Sequence, residues 1–166
     1  MRPVDRGSGE SVVVLVRHAH AGSRHRWDGP DDSLRPLTDR GQREAEAIGR
    51  RLAPLMAPGA LIASSPYTRC RQTLGPLADA VDGEVVLDDR LAEGMSFEPM
   101  LDLVLHAPDG SVLCSHGDMI PEVIAALDRR GCEIHGEPHW EKGSCWTLVR
   151  HENRVVRAHA EPPPDV

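Results

Sequence analysis

Three short, uninterrupted apolar runs, at residues 11–16, 60–63 and 111–114, are each followed by a stretch of helical periodicity. This alternation limits the chain to few folds. A strand with no polar alternation is buried on both faces. Strands that alternate with helices form an α/β protein, here a three-layer α/β/α arrangement around a mostly parallel central sheet. The pattern predicts a helix from Thr38-Asp39 to about Leu55, with Ala45, Ile48, Leu52 and Leu55 on one face. A second helix should open after Ser64-Ser65-Pro66 and run to about Leu74. Gly75-Pro76 should interrupt it, with a further turn reaching Ala80. A short strand at 85–87, helices at 97–106 and 121–129, and a closing strand pair at 145–150 and 155–160 complete the expected elements. Residues 19–36 are polar and rich in Gly, Pro and Asp. They read as a long loop, and loops of that length are usually functional or disordered.

With 166 residues, one domain spanning 1–166 is expected, with 1–10 and 161–166 as frayed ends. Aromatic residues are only 3% of the chain, so the core must be aliphatic, and stacking platforms for single-stranded nucleic acid are lacking. The formal net charge of -7 also argues against a nucleic-acid partner. Its distribution is uneven: the first 51 residues hold 10 Arg and 8 acidic residues, so a small anion could be steered toward this third. No apolar run approaches the roughly 20 residues of a membrane span. Met1–Ser11 lacks the apolar stretch of a secretory signal, which leaves the cytoplasm as the expected compartment and the four cysteines reduced.

In open parallel sheets, ligands bind at the carboxyl ends of the strands. Three such ends carry chemically capable residues here. The first strand ends in Arg17-His18-Ala19-His20, the second leads into Ser64-Ser65-Pro66-Tyr67-Thr68-Arg69, and the fourth ends in Ser115-His116-Gly117-Asp118. Two arginines and two histidines on one rim make a phosphate-sized anion site, because guanidinium holds phosphate through paired hydrogen bonds. A neutral imidazole there can attack phosphorus and form a covalent intermediate.

These residues resemble the signatures of the histidine phosphatase superfamily, also called phosphoglycerate mutase-like. Arg17-His18-Ala19 is similar to its Arg-His-Gly motif. The stretch from Ser65 through Pro66, Arg69 and Cys70 to Gln72 and Thr73 is similar to its Ser-Pro-x-x-Arg-Ala-x-Gln-Thr motif. Cys114-Ser115-His116-Gly117 resembles its second-histidine motif. Arg35-Pro36-Leu37-Thr38-x-x-Gly41 resembles a stretch of the small SixA-type phosphohistidine phosphatases. Lys142-Gly143-Ser144-Cys145-Trp146 looks like the phosphatase domain fused behind Nudix domains in some MutT-like hydrolases. No Nudix box occurs in this sequence, so a free-standing phosphatase is expected.

The resemblance implies a phosphoglycerate mutase-like fold and a metal-independent phosphatase that needs no cofactor. It implies His18 as the nucleophile, with Arg17, Arg69 and His116 holding the phosphoryl oxygens. Leu91-Ala92-Glu93 matches a Leu-x-Glu motif and makes Glu93 the candidate acid for the leaving group. Ala19 replaces the usual Gly, and Ala21 replaces a residue that adds a phosphate contact in many members. Ser23, Arg24 and Arg26 on the following loop are candidates to supply that contact. The expected substrate is a phosphorylated small molecule, a phosphate monoester, or a phosphohistidine protein. A lid formed by residues 22–35 would suit the small molecule and an open site the protein. The alternatives are a phosphoglycerate mutase-like phosphotransferase and a non-enzymatic phosphate- or phosphoprotein-binding module. Mutases are longer, and a binding module would lose the nucleophile or the second histidine. Cys132, His135, His139 and Cys145 have ligand types that suit zinc, but the closely spaced Cys pair that opens such sites is absent.

Overall fold

The protein is described from a computed structural model, which covers residues 6–166. Residues 1–5, part of the expected frayed N-terminus, lie outside it. The strands are β1 (Glu10–Arg17), β2 (Ile62–Ser64), β3 (Val86–Leu87), β4 (Ser111–Ser115), β5 (Glu133–His135), β6 (Cys145–His151) and β7 (Arg154–Glu161). The helices are α1 (Asp39–Leu52), α2 (Thr68–Ala80), α3 (Phe97–His106) and α4 (Met119–Arg129). The strands form one seven-stranded sheet in the order β3-β2-β4-β1-β6-β7-β5. β3, β2, β4 and β1 run parallel, β6 runs antiparallel to both β1 and β7, and β5 is parallel to β7.

Successive strand residues point to opposite faces, and β1 divides accordingly. Val13 and Leu15 join the core formed with α3 and α4, which includes Met100, Val104, Val123 and Leu127. Val12, Val14 and Val16 join the core formed with α1 and α2, which includes Ile48, Leu52, Leu74 and Leu77. Both faces of the sheet are thus covered by helices, which accounts for the uninterrupted apolar runs of the central strands.

Thr38 caps α1 as its sequence suggests: its hydroxyl accepts from the Gly41 amide at 3.1 Å. Gly75-Pro76 does not interrupt α2, contrary to expectation. Proline removes one helical hydrogen bond, but here it sits where α2 presses on α1. A Cβ at Gly49 would lie 3.0 Å from the Leu77 nitrogen and 3.1 Å from the Pro76 carbonyl carbon. Leu77 and Ala78, beyond the proline, are buried in that contact. Packing on both sides holds the helix together.

The segment that follows Cys132 forms β5, an edge strand with no local strand pattern. Arg6 pairs with Asp109 at 3.1 Å, and Glu10 begins β1. Glu161 ends β7 and pairs with Arg51 at 3.0 Å. Among the described residues no helix is long and apolar enough to cross a membrane.

The register aligns the strand ends that matter. Arg17 of β1 lies opposite Ser115 of β4, and Ser64 of β2 lies opposite Cys114. The ladders continue one step beyond the strands, with the His18 amide donating to Ser115 O at 3.1 Å and the Ser65 amide to Cys114 O at 3.0 Å. Whatever follows these residues is delivered to one edge of the sheet.

Candidate active site

His18 follows β1 directly and is only 4% exposed. Its Nδ1 lies 2.9 Å from the carbonyl oxygen of Ala19. A carbonyl can only accept, so Nδ1 carries the ring proton and Nε2 keeps its lone pair. Burial pushes the pKa of His18 down to about 2. The hydrogen bond to Ala19 opposes that shift, and His116, Arg69 and Arg17 reinforce it. Burial is therefore the first cause, and the arginines singled out from the sequence add to it.

This depression has a measurable consequence. The unfolded ring titrates near 6.5 and the folded one near 2. At neutral pH neither state holds the extra proton. As pH falls below 6.5, unfolded chains bind it and folded chains do not, so stability falls with pH. The His18 contribution to that slope reaches about 1.4 kcal/mol per pH unit. His18→Asn is expected to flatten the dependence of unfolding free energy on pH between about 6 and 4. Denaturant unfolding at several pH values checks this, and an unchanged slope would mean that the folded ring titrates normally.

Arg69 comes from the first turn of α2 and is 1% exposed. Its Nη1 donates to Asp32 O at 2.9 Å and lies 3.2 Å from the Asp32 carboxylate, while Nη2 meets Glu93 at 3.2 Å. The guanidinium carbon sits 4.9 Å from the centre of the Tyr67 ring. Arg71, two residues on, is exposed. Arg17 donates through Nη1 to Trp140 O at 2.6 Å. Its guanidinium crosses the backbone at Gly117, where a Cβ would lie 2.6 Å from Cζ. Only glycine allows that approach.

His116 follows β4 and is 1% exposed. Its Nε2 is 2.8 Å from Ser65 Oγ, and that oxygen accepts from the Tyr67 amide at 3.3 Å. The serine proton is thus free to go to Nε2, which leaves Nδ1 as a donor. The His116 ring lies 5.5 Å from that of His18.

Among the described residues, three buried side-chain polar atoms have no hydrogen-bond partner: Arg17 Nε, Arg69 Nε and His116 Nδ1. All three residues line one cleft of about 510 Å³, together with His18. An unmet buried donor costs roughly 1–3 kcal/mol. Three donors around one cleft are satisfied together by an anion with several acceptor oxygens. Ser23, Arg24, His25, Arg35, Glu93, Asp118 and Lys142 complete the charged and polar lining. The chain is acidic as a whole, yet five cationic side chains face two carboxylates in this cleft.

The family model of the histidine phosphatase superfamily, branch 1, matches residues 13–103 of this sequence. The chain belongs to that superfamily. As a histidine phosphatase it is 34% identical to an 8-oxo-(d)GTP phosphatase of Mycolicibacterium smegmatis, over 99% of this chain and 51% of that protein. It is 28% identical to the mitochondrial serine/threonine-protein phosphatase Pgam5 of Drosophila yakuba, over 87% of this chain and 48% of that one. The chain thus spans about half the length of these curated relatives. Among solved structures, a phosphohistidine phosphatase SixA from Nakamurella multipartitia superposes with a TM-score of 0.69 at 25% identity, covering 95% of this chain and 99% of that one. The phosphoglycerate mutase-like, mixed α/β fold expected from the sequence is the fold of these neighbours.

Glu93 sits beside the clustered residues, where its carboxylate accepts from Arg24 at 2.6 Å and from Arg69 at 3.2 Å. Arg24 also lies 3.5 Å from Asp32. Ser23 lines the cleft and uses its hydroxyl to accept from the His25 amide at 3.2 Å, capping a 3-10 turn at Arg24–Arg26. Arg26 lines a neighbouring cavity instead of the cleft. The metal reading finds no support in the geometry. Among the described residues no group of three or more His, Cys, Asp or Glu could hold a metal ion. His135 instead stacks on His159, with ring centres 4.7 Å apart.

Sequence reasoning gave no role to the residues that brace the chain behind the nucleophile. Thr73 Oγ1 accepts from the Ala19 amide at 3.0 Å, and buried Glu44 accepts from the His20 amide at 2.8 Å. The Thr38 amide donates to His20 O at 3.0 Å. Arg35 donates to Ala21 O at 2.6 Å, and Lys142 donates to Gly22 O at 2.9 Å. A Cβ at Gly41 would overlap the His20 carbonyl oxygen. Every residue from Ala19 to Gly22 is therefore held by a partner at least 14 positions further along the chain. The extra Cβ of Ala19 is accommodated, fully buried, within this frame. The signal was present in Arg35-Pro36-Leu37-Thr38-x-x-Gly41, whose outer members are the brace and the close contact.

Proposed function

We propose that this chain is a metal-independent phosphatase that hydrolyses phosphate monoesters or protein phosphohistidine through phosphate bound covalently to His18. The observation that carries the reading is the convergence of three unpartnered buried donors on the cleft that holds a neutral, singly protonated His18. The phosphoryl oxygens accept from Arg17 Nε, Arg69 Nε and His116 Nδ1. Nε2 of His18 forms the bond to phosphorus as the bond to the leaving group breaks. Charge that builds on the phosphoryl oxygens meets donors already in place. Water then attacks phosphorus, which returns phosphate and the neutral histidine.

Glu93 is the proton donor to the leaving group in this scheme. Both its oxygens accept from guanidinium groups, so it must exchange one of these contacts for a proton before it can act. Glu93→Gln is expected to slow alkyl phosphates more than activated aryl phosphates, because only a poor leaving group needs protonation. Equal losses in kcat/KM on the two would remove it from the acid role.

The relatives suggest two substrate classes: a phosphohistidine phosphatase acts on protein phosphohistidine, and an 8-oxo-(d)GTP phosphatase on a nucleotide. The four cysteines are free and buried, in keeping with a cytoplasmic protein. The test is a comparison of kcat/KM for a phosphohistidine protein, sugar phosphates and nucleotides, with excess chelator present. Turnover of at least one class under these conditions is expected. Activity seen only when a divalent metal is supplied would overturn the metal-independent reading.

A further inference from the structure

The loop that leaves the nucleophile builds a second cavity of about 580 Å³, which shares Gly22, Ser23 and Arg35 with the phosphoryl cleft. Its size falls within the roughly 300–1,000 Å³ that encloses a drug-sized ligand, and is far more than a single phosphate needs. Its wall differs in kind from that of the cleft. Ala21, Trp27, Pro36 and Leu37 supply apolar surface, with His20 and Thr38 as the polar pair. His20 Nδ1 and Thr38 Oγ1 are 2.7 Å apart, and burial holds the His20 pKa below its usual value, so the charge on this wall comes from Arg26 and Arg35.

Trp27 is set in place before any ligand arrives. Its indole nitrogen donates to Asp31 O at 3.1 Å. Its ring lies against the backbone of Gly29, where a Cβ would overlap the indole. The chain has few aromatics, at 3%, and one of them is half-buried and fixed at this cavity. A rigid aromatic side chain offers large stacking area at little entropic cost.

We propose that this second cavity is a leaving-group subsite that selects phosphate esters of nucleoside size whose leaving group carries a planar ring stacked on Trp27. The inference rests on the reading of the adjoining cleft as the phosphoryl site. A phosphate held there places its ester substituent at the shared border of Gly22, Ser23 and Arg35. From that border the mainly apolar cavity is the adjoining volume that can cover a ring.

The decisive pair of substrates is adenosine 5′-monophosphate and ribose 5-phosphate, which differ only in the base. The wild-type protein is expected to favour the nucleotide in kcat/KM by about tenfold or more, the scale on which loss of a base-stacking aromatic weakens binding. Trp27→Ala should bring the ratio of the two toward one, and Trp27→Phe should restore most of it. A wild-type ratio near one, or a loss shared equally by both esters in Trp27→Ala, would overturn the subsite while leaving the phosphatase reading intact. Adenosine binding, measured by calorimetry, separates the two claims. If neither ester nor a phosphohistidine protein is hydrolysed but adenosine binds and Trp27→Ala abolishes the binding, the subsite stands and the phosphatase reading fails. If adenosine does not bind and the nucleotide is not preferred, the subsite is wrong.

Discussion

Brief mixing with a labelled phosphate ester, followed by denaturation, is expected to leave phosphate on the wild-type protein and none on His18→Ala. Turnover should fall by about 10³-fold or more in the variant, because the covalent route is lost and not merely weakened. The chemistry of the label identifies the atom. Phosphorus bound to an imidazole nitrogen hydrolyses in acid and survives alkali, whereas a serine ester behaves in the opposite way. Ser65 is the informative competitor, since its hydroxyl lies 2.8 Å from His116 and resembles an activated nucleophile. It is fully buried and holds the Tyr67 amide as well, so the geometry gives it a positioning role. His116→Ala should slow both formation and breakdown of the label without moving it. An acid-stable label, or one that persists in His18→Ala, would overturn the mechanism. The folded His18 ring titrates near 2, so formation of the label should persist down to about pH 5 without loss of the nucleophile to protonation.

What the sequence made legible is what depends on neighbours in the chain. The apolar runs of β1, β2 and β4 can be read because burial on both faces leaves no polar alternation. With those strands placed, Arg17, His18, Arg69 and His116 fall at one sheet edge by topology alone. Features decided by distant partners were hidden. Pro76 looks like a break until Gly49 of another helix is known to press against it. β5 has only three residues, and its pairing with Arg157, Ala158 and His159 of β7 leaves no local pattern. Lys142 braces Gly22 across a separation of 120 residues. The depth of burial that holds the His18 pKa down is a property of the assembled layers. Trp27 stood in plain view in a polar loop, and only the fold shows that Gly29 and Asp31 fix it at a cavity.

Arg69→Ala should lower kcat/KM by roughly 10²–10³-fold, the cost of removing one preorganised donor from a developing oxyanion. The argument turns on how the guanidinium is already used. Its two Nη groups are held by Asp32 and Glu93, and only Nε is without a partner. The carboxylates therefore aim the side chain, and the remaining donor is the one available to phosphate. Arg69→Lys should recover little, because an ammonium cannot span Asp32 and Glu93 while presenting a third donor in a fixed plane. Arg71→Ala, on the exposed side of the same helix, should change kcat/KM less than about twofold, since residues two apart on a helix do not share a face. The affinity for inorganic phosphate, measured as competitive inhibition, should weaken in Arg69→Ala and hold in Arg71→Ala. A variant that merely loosened α2 would lose activity together with a drop in its thermal unfolding temperature. Equal damage from Arg69→Ala and Arg71→Ala would mean that the anion site has been assigned to the wrong face of α2.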